Sequence, residues 1–453
     1  VHYLPEDKMT SLKRWLVNFN QEHDINTKTH MSAKYYRVSD EKYFEEIAHT
    51  NTNVESLKSH LEFSFEDPDK HLGITILTED KQVVNFSTAA GTYSSTATTA
   101  GSFVVGKYYT ILTEGNTSFT SIGASANTVG VIFKATGVGS GTGTANVKVI
   151  PYTRALEMSI SKTFNAVNNL PIKLDIVRTK FSHDTPSKVS GARTHGNLEI
   201  SRELDTKFPV ITPRINVART TYSLKNSPNI KRTILGSGVD IDFTFNRKGN
   251  LFGSEINHRL SPIISYNYRA KKDQGHIPIF DSTDKYDDII TFADLTSGER
   301  YNGLDRITNA NDITISLESS YRDVDALIED KDLLNMKIAQ SYFTDNEVVS
   351  DTSNKDYETR KKYSDIAASI DLAIGKYIFS SEVQFNPDES KIVKKENSLS
   401  YTLNPRKFVS IALSDEGSKK TGKIDVAFPL NNSIHLFGGL DRTTSTGVTN
   451  KET

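Results

Sequence analysis

The feature that most constrains this chain is an alternation of apolar and polar side chains with period two. Ile313, Ile315, Leu317 and Tyr321 fall on one side of a segment whose other side is Thr314, Ser316, Glu318 and Ser320. Successive side chains of a strand point to opposite faces, so this segregation predicts a strand with one apolar and one polar face. Val239, Ile241, Phe243 and Phe245 alternate in the same way with Asp240, Asp242, Thr244 and Asn246. Leu61, Phe63 and Phe65 do so around Glu62 and Ser64, and Tyr377, Phe379, Val383 and Phe385 around Ser380, Glu382 and Gln384. Between these segments lie polar stretches, some short and some long, such as those around Ser39–His60 and Asp281–Gly303. Alternating strands joined by tight turns on one side and long loops on the other suit an outer-membrane barrel. A soluble sandwich or solenoid with one solvated face shows the same alternation, and periodicity alone leaves both open.

Composition removes other classes. The 453 residues carry 54 Lys+Arg against 56 Asp+Glu, a formal charge of -2, without the broad basic field of a nucleic-acid binder. The absence of cysteine excludes disulfide scaffolds, thiolate-ligated metals and thiol nucleophiles. No apolar run approaches the roughly 18 residues of a transmembrane helix, and the Val1 start has no secretory-signal pattern. Barrel strands keep average hydropathy low, so the mean hydropathy of -0.45 is neutral on that point.

One stretch differs in kind. From Asn85 to Lys148 the chain is rich in Gly, Ser, Thr and Ala, and Lys107, Glu114 and Lys134 are the charged residues between Gln82 and Val147. Ten of the 26 glycines lie there. It also holds β-branched and aromatic clusters around Phe103–Leu112 and Val129–Thr136, which a flexible linker lacks. The reading is a small all-β module inserted in a loop, behind a flexible lead-in near Ser87–Gly101; a low-complexity loop is the alternative.

Catalytic patterns are missing. The eleven histidines form no metal-binding pair motif, and His183 and His195 flank a loop-like segment that reads as solvated. Gly137, Gly139, Gly141 and Gly143 evoke a phosphate cradle, but no Lys-Ser/Thr follows and no helix opens there. Asp240 with Asp242 and Asp287 with Asp288 are the nearest carboxylate pairs, and a hydrated polar face accounts for them better than acid/base work. No catalytic residue, cofactor or metal is expected.

Ordered motifs carry more information. Arg300, Gly303, Leu304, Asp305, Arg306, Ile307, Ala310 and Asn311 form the strongest block, supported by Val38-Ser39-Asp40 with Tyr43-Phe44 and by Gln340–Phe343. This series resembles the C-terminal barrel of the LptD family, the lipopolysaccharide-assembly or organic solvent tolerance proteins. Leu260, Ser261, Pro262 and Ile263 depart from the Leu-Glu-Pro-Arg usual in that family. The inserted stretch is not part of the family pattern and is similar to small β modules of bacteriophage virion proteins. The resemblance also implies a fragment, lacking a periplasmic domain, strands at both ends and the family's cysteines.

The expected fold is therefore all-β: a large, partial antiparallel outer-membrane barrel of roughly 18–22 strands. Residues 1–84 form its first part, 85–148 the inserted module in an extracellular loop, and 149–453 its second part. Asp240, Asp242, Thr314, Ser316 and Glu318 are expected to face the lumen; a register slip of one residue would reverse them. What the resemblance implies is passage of lipopolysaccharide through the lumen and a lateral seam into the outer leaflet of the bacterial outer membrane, without enzymatic chemistry. It further implies an LptE-like plug lipoprotein, periplasmic bridge proteins and outer-membrane lipids as partners, and no nucleic acid. A phage virion or surface-adhesin β protein and an ordinary porin are the competing readings.

Overall fold

The computed structural model describes residues 2–7, 13–40, 43, 56–83, 97–147, 152–165, 170–183, 188–287, 289–324, 332–350, 356–359, 362–404, 407–417, 419–430, 435–445 and 448–452. The chain expected to be all-β is so: its largest element is a 21-stranded antiparallel sheet. Strands pair in chain order within that sheet, a meander from His2–Leu4 to Val448–Glu452, with one exception: Ile230–Asp242 and Phe245–Leu251 do not pair with each other and lie one after the other along Ser254–Arg269. Asp288, residues 87–96 of the lead-in, and Phe44 lie outside the described residues, as do the expected module limits Asn85 and Lys148.

Local chemistry sets the connections. The Phe245–Leu251 and Ser254–Arg269 strands are joined by Phe252 and Gly253, both at positive φ (52° and 90°), the two-residue turn whose twist matches that of paired strands. At the same end lie the short links between Arg14–Asn26 and Thr29–Val38, and between Ile366–Ile374 and Tyr377–Asn386. The opposite end collects residues 39–55, the inserted stretch, and the long excursions 270–309 and 344–365. The longest connections thus gather at one end, although short links such as 387–390 also occur there.

Burial along the strands is inverted relative to a soluble sheet. In Ala310–Asp323, Ile315 is 61% exposed, whereas Thr314 and Ser316 are 2% and 5% exposed. Leu235 on Ile230–Asp242 is likewise 61% exposed, and its neighbour Ile234 is buried beside Arg232. Leu61, Phe63, Ile76, Met158, Ile160, Leu198, Ile215, Ile264, Ile338 and Ile424 continue the exposed apolar band. Burying such a side chain is worth about 1.5–3 kcal/mol, so a whole face left out of the protein interior requires an apolar solvent around it. This is the arrangement of a barrel wall in lipid, with backbone groups satisfied by strand pairing.

His195 is a correction. It lies on the Gly191–Ser201 strand, buried, with Nδ1 2.9 Å from Thr220 Oγ1, rather than in a solvated loop. The inner face of a barrel is polar, so a strand lined by Arg193 and His195 imitates a loop in composition.

The inserted stretch does not disturb the wall. Leu72–Val83 and Thr153–Asn165 pair directly, Glu157 opposite Leu77 and Lys162 opposite Leu72. Between them Thr98–Thr99, Tyr108–Thr113, Ile132–Lys134 and Thr144–Val147 form a separate four-stranded sheet. Phe103, Tyr109, Ile111, Phe119, Ile122 and Phe133 make its core, with Phe119 and Phe133 rings 5.6 Å apart. The glycine cluster has a packing reason: a Cβ on Gly143 would stand 2.8 Å from the Phe119 ring, and one on Gly139 3.0 Å from Phe103. Phe119→Ala is expected to cost about 3–5 kcal/mol and to open the module to limited proteolysis. Heat-modifiable gel migration of the barrel should persist, because the wall ladder does not pass through this core.

Candidate functional site

The excursion 270–309 leaves from Arg269 and returns at Ala310, two residues paired with each other, so it projects from the end of a closed ladder. It folds against the inner, polar side of the wall. Two arms anchor it.

Asp305 centres the first arm and is fully buried. Arg193 Nη1 donates to it at 2.8 Å, Tyr222 Oη at 3.2 Å, and the backbone N–H groups of Phe280 and Asp281 at 2.7 and 2.9 Å. Arg193 also grips Asp281 through both terminal nitrogens, at 2.6 and 2.9 Å, and Arg154 adds a contact at 3.1 Å. Arg232 donates to the carbonyls of Asp305 and Leu304 at 2.8 and 2.6 Å and bonds the Gln274 side chain. Arg306 turns back onto the Ile277 carbonyl at 2.8 Å. Phe280 stacks on Phe181 at 4.5 Å between ring centres, closing an apolar patch with Tyr222 and Ile277. Gly303 makes the approach possible: at φ 75°, a Cβ there would lie 2.5 Å from an Asp281 carboxylate oxygen.

The second arm reaches the other side. A one-turn helix, Phe292–Ser297, starts at a capping box in which Thr291 and Asp294 exchange side-chain and backbone bonds. Leu295 and Ile290 pack on Ala339 and Ala367, and the Ile290 N–H donates to Gln384 at 3.0 Å. Arg300 makes paired bonds to Asp284 and a 3.0 Å bond to Glu347. The anchors run from Arg154 on Thr153–Asn165 to Gln384 on Tyr377–Asn386, a stretch of the wall that holds eleven of its 21 strands. The loop is therefore a strap across the inside of the long-loop end.

Electrostatics follow from burial. Burial works to raise the Asp281 carboxyl, but the Arg193 bond and charge, with Arg154, outweigh it and hold it below the ordinary aspartate value. Burial raises the Asp305 carboxyl, and Arg193 offsets this only in part. Asp294 is lowered: desolvation opposes, and the Thr291 bonds and Lys285 prevail.

The motif residues Arg300, Gly303, Asp305 and Arg306 are thus the strap's anchors. Asn311 stands apart on the strand, accepting from Tyr266 Oη at 3.0 Å and donating to Asp345 at 2.7 Å. Pairing joins Asp240, Ser265, Thr314 and Ser341 in one cross-strand row, and Thr314 and Ser341 hydroxyls are 2.7 Å apart. Asp240 is paired with Arg214, which also bonds Asn267, itself 3.0 Å from Asp312. Asp242 accepts from Thr244 at 2.5 Å; Ser316 is buried; Glu318 accepts from Asn335 at 3.0 Å and lies 3.5 Å from Lys337. Tyr222 and Asp281 lie within the ordered motif segments 208–224 and 256–283, whereas Arg193 and Arg232 belong to no motif, and the sequence signal available for them is the alternation of large polar residues on strands. Among the described residues no cluster of three metal-ligating side chains occurs.

Removing one partner of a buried ion pair costs about 3–5 kcal/mol, so Asp305→Asn is expected to free the strap, read as new protease cleavage within 270–309. Gly303→Ala should do the same by collision. Asp294 contributes fully above the ordinary aspartate value and loses its contribution as pH falls through its lowered folded value. Helix amide exchange should therefore accelerate only below about pH 4, and Asp294→Asn should remove that acid step.

The model of the family LptD, "LPS transport system D", matches residues 13–414. The LPS-assembly protein LptD of Pseudoalteromonas atlantica is 25% identical over 256 residues, 54% of this chain and 32% of that protein. That of Nitrosospira multiformis is 31% identical over 37% of this chain and 18% of its own length, and that of Burkholderia lata 23% identical over 64% and 38%. The chain spans well under half the length of these curated relatives. The P pilus usher (PapC) translocation pore aligns over 96% of the chain at 9% identity, with a TM-score of 0.19. With residues 13–414, close to nine-tenths of its length, inside one family model, the chain belongs to the LptD family.

Proposed function

We propose that this chain forms a wall through which lipopolysaccharide passes to the outer leaflet of the bacterial outer membrane. The observation that carries the reading is the inverted burial: apolar side chains such as Ile315 point outward, and Thr314 and Ser316 point into a polar interior. Phosphates and sugars travel past hydroxyls, amides and paired charges, and acyl chains stay with the apolar surface. Asp240, Asp242, Thr314, Ser316 and Glu318 line that interior. No bond is made or broken in the step.

Family membership supports further parts of the proposal. A plug lipoprotein fills the lumen, and a periplasmic bridge supplies the lipid. The long-loop end faces the cell exterior, which displays the inserted module, similar in sequence to small β modules of phage virion proteins. A wall with an apolar exterior disfavours the virion and adhesin readings, and membership in this family disfavours an ordinary porin.

The chain has no cysteine, so single-cysteine variants report cleanly. A small charged methanethiosulfonate is expected to label a Glu318→Cys variant in membranes and to spare Ile315→Cys; selective labelling of the latter would overturn the facing. In cells depleted of their own LptD, the full-length protein containing this chain should restore surface lipopolysaccharide, measured by outer-leaflet labelling. Correct membrane insertion with no restored display would remove the transport reading.

A further inference from the structure

The outward surface carries an unpaired basic patch at the long-loop ends of four consecutive strands, Pro171–Ser182, Gly191–Ser201, Val210–Leu224 and Ile230–Asp242. Arg178, Lys180, Arg219 and Lys231 are all exposed. They alternate with Thr179, Phe181, Thr220 and Arg232, which are buried on the inner side, so the four cations stand on the outer face. Pairing places Arg178, Thr194, Thr221 and Lys231 in one row across the four strands, with Arg219 and Lys180 two residues to either side of it. At strand spacings of ~4.8 Å the row is ~14 Å wide.

None of the four cations forms an ion pair among the described residues, and the outward positions of these strands hold no Asp or Glu. Thr194 accepts a 2.9 Å bond from Arg178, which holds that guanidinium flat along the wall. Directly toward the short-turn end the same face turns apolar, with Ile176, Leu198, Ile215 and Leu235 exposed. At the long-loop ends of neighbouring strands the outward residues are instead aromatic, Tyr266, Tyr268 and Tyr342, which is the usual interfacial girdle. The four strands thus replace the girdle with charge. Cations are costly at mid-bilayer and well placed at its surface, where they attract anionic headgroups, and guanidinium matches phosphate geometry.

We propose that this patch is a docking site for a phosphorylated lipid of the outer leaflet, lipopolysaccharide held by its phosphates on Arg178, Lys180, Arg219 and Lys231 with its acyl chains on the apolar band below. The site is on the outside of the wall, apart from the lumen and the strap. The proposal rests on the transport reading for the identity of the lipid, not for the existence of the site. It gives delivered lipid a first resting place on the wall.

The test uses the folded protein in detergent micelles and native mass spectrometry, with bisphosphorylated lipid A as probe and chemically dephosphorylated lipid A as its control. The wild type should retain the bisphosphorylated form. The R178Q/K180Q/R219Q/K231Q variant should retain it at least ~10-fold less, and K162Q, which removes a half-buried cation at the short-turn end, should behave as wild type. These are surface residues, and heat-modifiable migration verifies that the quadruple variant is folded. Equal retention by the quadruple variant, or an equal loss for dephosphorylated lipid A, overturns the patch. Surface display of lipopolysaccharide in complemented cells is a separate readout, and its failure removes the transport reading while leaving phosphate-dependent retention intact.

Discussion

Everything in this molecule depends on backbone hydrogen bonding that never relies on water. A wall whose outer side chains are Ile315, Leu235 and Met158 excludes water from one whole surface, so each N–H and C=O must find its partner in the adjoining strand. The meander accomplishes this by pairing strands in order along the chain, even where an inserted stretch or a long excursion separates them. Once the backbone is satisfied, side chains are free to be sorted by solvent. Those that meet lipid are apolar and those that turn inward are polar, the reverse of a soluble core.

The inward side then faces its own difficulty, since a polar interior has no hydrophobic force to hold a long loop in place. Charge does this work at 270–309. Asp305 receives four donors and Arg193 spans two carboxylates, so the strap is fixed by buried, paired ions where an apolar core is thin. Buried ion pairs are weak evidence of net stability but strong determinants of one arrangement, because any alternative leaves a charge unpaired. The strap's aromatic contact, Phe280 on Phe181, is small by comparison.

The wall was legible in the sequence because period two is a direct consequence of strand geometry: Thr314, Ser316 and Ile315 fall on the faces their alternation predicts. The strap anchors Arg300, Gly303, Asp305 and Arg306 were visible as a motif, although nothing local told that they fold inward onto Arg193 and Arg232. Those partners sit about 70–110 residues away and are brought near by strand pairing alone. His195 misled for a related reason. Polar residues on the inner face of a barrel carry the composition of a loop, and only the neighbouring strands, with Thr220 opposite, reveal the ladder.

The direct pairing of Leu72–Val83 with Thr153–Asn165 has a consequence for how such a chain changes over time. The entropy of closing a connection grows only logarithmically, by about 0.6 kcal/mol per doubling of its length. A module that folds on its own stiffens much of that connection and lowers even this cost. Position 83–153 is therefore a port: whole units can be lost, gained or exchanged there without moving any rung of the wall, and what the loop carries is selected separately from what the barrel does.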